Sequence, residues 1–304
     1  MAEPTPVAPP PAPSPTGVIH DIGYQPYSGP RLGEASVAWA LFATGVRHCF
    51  GLGRSAKSKV LPMLLVGFIA LPTLVIVGIT VTVGFDELPV DYARYPIIMQ
   101  LVISIFVAAQ APALISRDLR YRTITLYLAR PLRRATYVVV RVASLAAAVL
   151  ALVAVPLLIL YVGALLADLP VGRETVDVLA ALLGALLLAA TLASVAAVIA
   201  AVTTRRGLAV AAIITLLLVS STAASSVQAI ALATDRPRVA EWAGLFSPYS
   251  LVDGVQVWAL GADGSSPAPP TGAHGAVFAA VTVAVVAGAI GLLLLRYRKV
   301  AAAS

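Results

Sequence analysis

PIIMQLVISIFVAAQAPALIS (residues 96–116), RDLRYRTITLYLARPLRR (117–134) and YVVVRVASLAAAVLALVAVPLLILYVGALL (137–166) follow one another almost without a gap. The outer two are apolar and have the length, about 20 residues or more, that crosses a hydrocarbon core about 30 Å thick. The middle one carries six arginines and a single acid, Asp118. Charge of that density stays out of lipid. The segment is therefore pinned at both ends to one membrane surface. An element held in this way can pass motion from a soluble partner into the membrane.

Composition extends this reading to the whole chain. Of 304 residues, 60% are hydrophobic and 12% charged, and mean hydropathy is +0.93. Soluble domains carry about a quarter charged residues. Six apolar runs stand out, near 60–84, 96–116, 137–166, 176–203, 207–233 and 276–295. Each predicts a helix, because a lone strand in lipid leaves its backbone groups unpaired. A membrane barrel would alternate polar and apolar residues, and these runs do not. The expected fold is an all-α polytopic membrane protein with six spans. One cysteine, Cys49, excludes an internal disulfide. Its place on an apolar stripe predicts burial. The sequence pI of about 9.8 is explained by basic loops, and no nucleic-acid-binding module is legible.

Charge sets the expected orientation. Arg31, Arg47, Arg54, Lys57 and Lys59 precede the first run, and seven arginines fall in 117–141. Arg205 and Arg206 follow the fourth run, and Arg296, Arg298 and Lys299 end the sixth. The alternate connections hold only Arg94, Arg173, Arg236 and Arg238. By the positive-inside rule both termini are cytoplasmic. Arg141, near the start of the third run, is expected to snorkel to the cytoplasmic surface. No acid lies at mid-depth in any run. Ion-coupled carriers keep costly ionisable groups there, so a proton-driven carrier is disfavoured and the energy is expected to come from elsewhere.

The flanking segments divide the chain further. Residues 1–33 read as a Pro-rich cytoplasmic tail without a core-forming pattern, and no cleavable signal peptide is expected. Residues 34–59 read as an amphipathic helix and a basic linker. Ala38, Leu41, Phe42, Gly45, Val46, Cys49 and Phe50 recur there at helical spacing, and Trp39 is suited to headgroup depth. This helix is expected to lie in the interface; packing against the bundle is the alternative. GLGRSAKS (51–58) misses a phosphate-binding loop, because Ala56 replaces its second glycine and no strand precedes it. This chain is not expected to bind ATP. The six-run membrane region extends over 60–299. Within it, 239–260 is apolar but broken at Ser247-Pro248-Tyr249, and predicts two short helices re-entering the outer interface.

Asp118, Thr123, Leu126, Leu128, Pro131, Arg133, Arg134 and Arg141, together with Ser247-Pro248-Tyr249 and the order of segments from about residue 35 to 299, resemble the membrane subunits of ABC transporters of the type-2 permease family. Arg122 stands where that family commonly has glycine, and Arg141 where it has lysine. The resemblance implies a second permease copy or relative beside this one, with two ATPase subunits below carrying ATP and magnesium. It implies a cytoplasmic coupling helix in 117–134. There Arg117, Asp118, Arg120, Tyr121, Thr123, Leu126, Tyr127, Leu128, Arg130, Arg133 and Arg134 would seat in the ATPase. Arginine forks suit carboxylates on a partner, and the leucines and tyrosines supply apolar anchors. The implied activity is export of an amphipathic or lipid-like substrate across the plasma membrane, with no catalysis and no cofactor on this chain. Spans two and five line the path in such exporters. That singles out Gln100, Ser104, Gln110, Ser221, Thr222, Ser225 and Gln228, whose other reading is helix packing.

Two other classes are weighed. A membrane anchor or scaffold would use the basic segment for docking, or for contact with anionic membrane lipids, without a polar path. A membrane enzyme would need acids clustered at one interface; Asp86, Glu87 and Asp91 come nearest and read as a solvated outer loop.

Overall fold

The computed structural model describes residues 29, 33–116, 118, 132–203, 205–264 and 266–302, with side chains to residue 298. Among these residues the chain is all helix. The helices are α1 (Glu34–Cys49), α2 (Ala56–Val83), α3 (Tyr95–Ile98), α4 (Gln100–Leu114), α5 (Arg134–Leu166), α6 (Val171–Val202), α7 (Arg206–Ala233), α8 (Pro237–Ala243), α9 (Pro248–Leu260) and α10 (His274–Ala302). A 3-10 turn, Gly244–Phe246, links α8 to α9. Five helices, α2, α5, α6, α7 and α10, are long and apolar enough to cross a membrane. The fold is that of a multi-pass helical membrane protein.

The apolar run at 96–116 differs from a single long helix. Met99 leaves helical geometry between α3 and α4, at φ −89° and ψ 9°. The backbone bonds Met99 N–H to Tyr95 O and Ile103 N–H to Met99 O carry the chain across this break. Tyr95 is buried, and its hydroxyl donates to the Ile69 carbonyl at 2.8 Å, which fastens α3 to α2.

The most buried spanning helix is α6, with 61% of its most apolar window inside, against 22% for α2 and for α10. It packs beside α5, with α4, α9 and α10 against it as well. Alanines at 181, 185, 189, 193, 196, 197 and 200 of α6 are buried. Small side chains let helix backbones approach closely, as membrane bundles require. The outer faces of α2, α7 and α10 are rich in exposed Leu, Val and Ile. In water such surfaces would aggregate; in a bilayer they face acyl chains.

The predicted stripe on α1 is present. Leu41, Gly45 and Cys49 are buried, while Trp39 is 68% exposed. This face packs on α5, where Ser144 Oγ donates to the Val140 carbonyl at 2.7 Å and to the Phe42 carbonyl of α1 at 3.3 Å. Gly45 permits that approach, since a Cβ there would lie 2.6 Å from Ser144 Oγ. Burial away from water pushes the Cys49 thiol up to about 12, so it behaves as a small apolar group. Segment 51–58 holds turns and the start of α2, preceded by α1 and not by a strand.

Gly45→Ala is expected to destabilise the bundle by about 1–3 kcal/mol through overpacking. Gly78→Ala on α2, where nothing lies within 4 Å of the new carbon, is expected to leave stability unchanged or slightly raised. Thermal unfolding of the two variants in one detergent checks the pair; equal melting temperatures would contradict the close α1–α5 approach.

Candidate functional site

The helices leave two chemically distinct ends. Among the described residues, a basic end gathers 47–59, 116, 118, 132–134, 203, 205–206 and 296–298, and an acidic end gathers the connections near 84–95, 167–174, 234–264 and 266–274. At the basic end, residue 118 lies beyond the end of α4 and folds back against the second turn of α5. Arg141 Nη2 donates to Asp118 Oδ2 at 2.5 Å, and the Tyr137 hydroxyl donates to the same oxygen at 2.6 Å. Arg141 Nε reaches Tyr137 Oη at 3.4 Å, and the guanidinium carbon sits 5.4 Å from the centre of the Tyr137 ring. Tyr297 of α10 stacks obliquely on Tyr137, ring centres 5.7 Å apart. Asp118 is 5% exposed and Arg141 6%. Ser116 Oγ donates to the Ala200 carbonyl, joining this corner to the end of α6.

The expectation that Arg141 snorkels to the surface is therefore overturned. Its charge is neutralised where it stands, by an acid 23 residues earlier. A buried ion pair is a weak source of net stability, but removing one partner strands a charge and costs about 3–5 kcal/mol. The pair acts as a fixed tie between residue 118, α5 and α10.

The other end of the basic segment is tied as well. Glu34, the first residue of α1, accepts the Arg133 backbone N–H at 3.2 Å and the Thr136 hydroxyl at 2.6 Å. Its carboxylate also faces Arg133 Nε at 3.5 Å. The Thr136 hydroxyl, then the Arg133 N–H, hold the Glu34 carboxyl below the usual carboxylate range. A carboxylate at the first turn of α5 also meets the favourable end of the helix dipole. This tie is complete above the ordinary carboxylate pKa and is lost as pH falls through the lowered one. Leu132 is buried beside it. Thus positions 118 and 132–133 are both held to the same end of the bundle, and Arg134 is exposed. Arg117, Arg120, Tyr121, Thr123, Leu126, Tyr127, Leu128 and Arg130 lie outside the described residues, as does the tail over 1–28.

The residues singled out in the second and fifth apolar runs fall into two groups. Ser221 Oγ of α7 donates to Gln100 Oε1 at 2.6 Å. Ser104 Oγ and Tyr249 Oη are 2.8 Å apart, and Tyr249 Oη donates to the Gln100 carbonyl at 3.1 Å. These bonds fasten α4 to α7 and α9. Gln228 Nε2 donates to Ser266 Oγ at 2.8 Å, and Gln110 is buried within α4. Thr222 and Ser225 lie exposed on α7. Ser247-Pro248-Tyr249 has a clear local role. Ser247 Oγ accepts the N–H groups of Tyr249 and Ser250, capping α9. Pro248 occupies the first helical turn, where a missing N–H costs nothing, and Tyr249 reaches α4.

The acidic end is cross-tied too. Arg173 pairs with Glu87 at 2.9 Å and approaches Asp177 at 3.8 Å. Tyr92 donates to Glu174 at 2.6 Å; burial, then that carboxylate, raises its hydroxyl above the usual tyrosine range. Glu241 on α8 accepts from Thr271 N–H at 2.7 Å and His274 Nδ1 at 2.9 Å. Among the described residues no His, Cys, Asp or Glu group is arranged to hold a metal ion. No family model and no curated protein matches the chain.

Sequence reasoning missed Glu34, Tyr137 and Tyr297. Each has a partner across 19 residues or far more, and no local period marks such pairs. Removing one member of the pair by Asp118→Ala should cost about 3–5 kcal/mol, whereas Asp118→Leu with Arg141→Met should recover most of that loss. Unfolding of single and double variants in detergent measures the coupling; additive losses would contradict the buried pair.

Proposed function

We propose that the chain is the membrane-spanning permease subunit of an ABC transporter of the type-2 family, exporting an amphipathic or lipid-like substrate with ATP hydrolysed on a separate subunit. The observation that carries this reading is the double tie of the basic segment: Asp118 to Arg141 and Tyr137 at one end, Arg133 to Glu34 and Thr136 at the other. Asp118 and Arg141 are also the two ends of the motif that resembles the family. In this reading the middle of the segment, 119–131, meets a partner, and a push on it is delivered through the two tied ends to α5 and, by way of Tyr297, to α10.

In this reading α3 and α4 together make the sixth span, residues 95–114 covering about 30 Å at 1.5 Å per residue. Both termini and the basic end are cytoplasmic, α1 lies along the inner interface of the plasma membrane, and α8 and α9 re-enter the outer leaflet. Two permeases pair side by side over two ATPase subunits. ATP and magnesium bind there and not on this chain. Closure of the ATPase dimer draws the segments together; Leu126, Tyr127 and Leu128 anchor them, and the arginines meet acidic groups of the partner. The substrate path runs along α4 and α7, at Gln100, Ser104, Gln110, Ser221, Thr222, Ser225 and Gln228.

A second reading, a non-transporting anchor that docks a cytoplasmic partner through the same segment, is favoured by one observation. Gln100, Ser104, Ser221 and Gln228 are engaged in hydrogen bonds within the bundle. Their release on opening of the bundle is what separates the two.

Affinity purification of the tagged full chain from its native membrane should recover an ATPase subunit and nucleotide hydrolysis. Leu126→Asp with Leu128→Asp is expected to lose most of both, by tenfold or more if two anchors of about 1–2 kcal/mol are removed. Undiminished recovery and hydrolysis would sink the coupling assignment. Recovery of a partner without hydrolysis would favour the anchor.

A further inference from the structure

At the acidic end, α7 and the α8–3-10 unit diverge around an apolar groove of about 540 Å³. That volume lies within the range of about 300–1,000 Å³ typical of small-molecule sites. Ala223, Ala224 and Ala243 supply its hollow, and Val227, Trp242 and Phe246 its walls. Ser220 also lines it, with its hydroxyl donating to the Leu217 carbonyl. From Ser220 to Val227 the groove follows α7 for about 10 Å at 1.5 Å per residue.

One charged side chain lines this groove, Arg238. It lies four residues before Trp242, on the same face of α8. It is exposed, and among the described residues no carboxylate pairs with it, although this end of the molecule is rich in acids. Arg173, by contrast, is paired with Glu87 and Asp177. Glu241, on the same short helix, is buried and occupied by Thr271 and His274. An apolar groove with one guanidinium in its lining has the chemistry of an amphiphile site: apolar walls for a chain, and a forked donor for an anionic head.

We propose that this groove binds an anionic amphiphile, its acyl chain between α7 and α8 and its phosphate on Arg238. The site stands whether or not the chain transports, because it needs only a membrane around α7 and the cation in its lining. The committed occupant is a phospholipid-like molecule, since charge complementarity calls for an anion and the walls call for a chain. A helix from a second copy is the competing occupant.

The test uses the full chain in nanodiscs of phosphatidylcholine with graded phosphatidylglycerol, extracted and examined by native mass spectrometry. The basic segment also attracts anionic lipid, so the reading is the difference between variants. The wild type should retain phosphatidylglycerol in preference to phosphatidylcholine. Arg238→Gln should reduce that preference about tenfold, as expected on loss of a hydrogen bond to a charged group. Arg238→Lys should restore part of it. Ala223→Phe, which fills the groove and leaves the cation, should lower retention of both lipids. An unchanged preference in Arg238→Gln would overturn the proposal. So would unchanged lipid retention in Ala223→Phe accompanied by conversion of a dimer to a monomer, which would assign the groove to a second copy.

Discussion

The pair between Asp118 and Arg141 constrains everything near the basic end of this molecule. Both side chains are almost wholly buried, and the Tyr137 hydroxyl donates to the same carboxylate oxygen as Arg141. Neither charge can leave without stranding the other, so the chain after α4 must return to the second turn of α5. That return fixes where the basic segment begins. Glu34 fixes where it ends, through the backbone of Arg133 and the hydroxyl of Thr136. The result is that both described ends of the basic segment stand on α5, one beside α10 and the other beside α1.

Elsewhere polar groups act as fasteners within an apolar bundle. Tyr249 links α9 to α4, Ser221 links α7 to α4, and Ser144 links α5 to α1. Each satisfies a group that would be costly in lipid. Alanines on α6 and glycine at position 45 supply the close approach that these bonds need. The exposed apolar faces of α2, α7 and α10 then meet acyl chains, and beside α7 that surface forms a groove with a charge in its lining. The proposed coupling and the proposed lipid site lie at opposite ends of the bundle and rest on different residues.

Much of this architecture was legible because it is local. Apolar runs of span length, the stripe Leu41–Gly45–Cys49 and the break at Ser247-Pro248-Tyr249 are written in periodicity and turn chemistry, and the helices follow them. The break at Met99 was not legible, since PIIMQLVISIF has no Gly at that point and its one proline suits a first turn. Nor was the fate of Arg141. Read alone, an arginine one or two turns inside an apolar run predicts snorkelling; only the fold brings Asp118 to it. Glu34 was not legible either, since its partners on the first turn of α5 lie about a hundred residues away. Of the polar residues in the second and fifth runs, the sequence showed the spacing but not their partners.

In the proposed coupling, the middle of the basic segment, 119–131, docks a soluble partner and does not merely contact lipid. Hydrogen exchange across residues 119–131 tests it most directly, on the full chain with its co-purified ATPase bound and with that subunit removed. The account predicts fast exchange in the free chain and strong protection in the complex, in detergent without anionic lipid. Equal exchange in both states, with protection appearing only when anionic lipid is added, would contradict it.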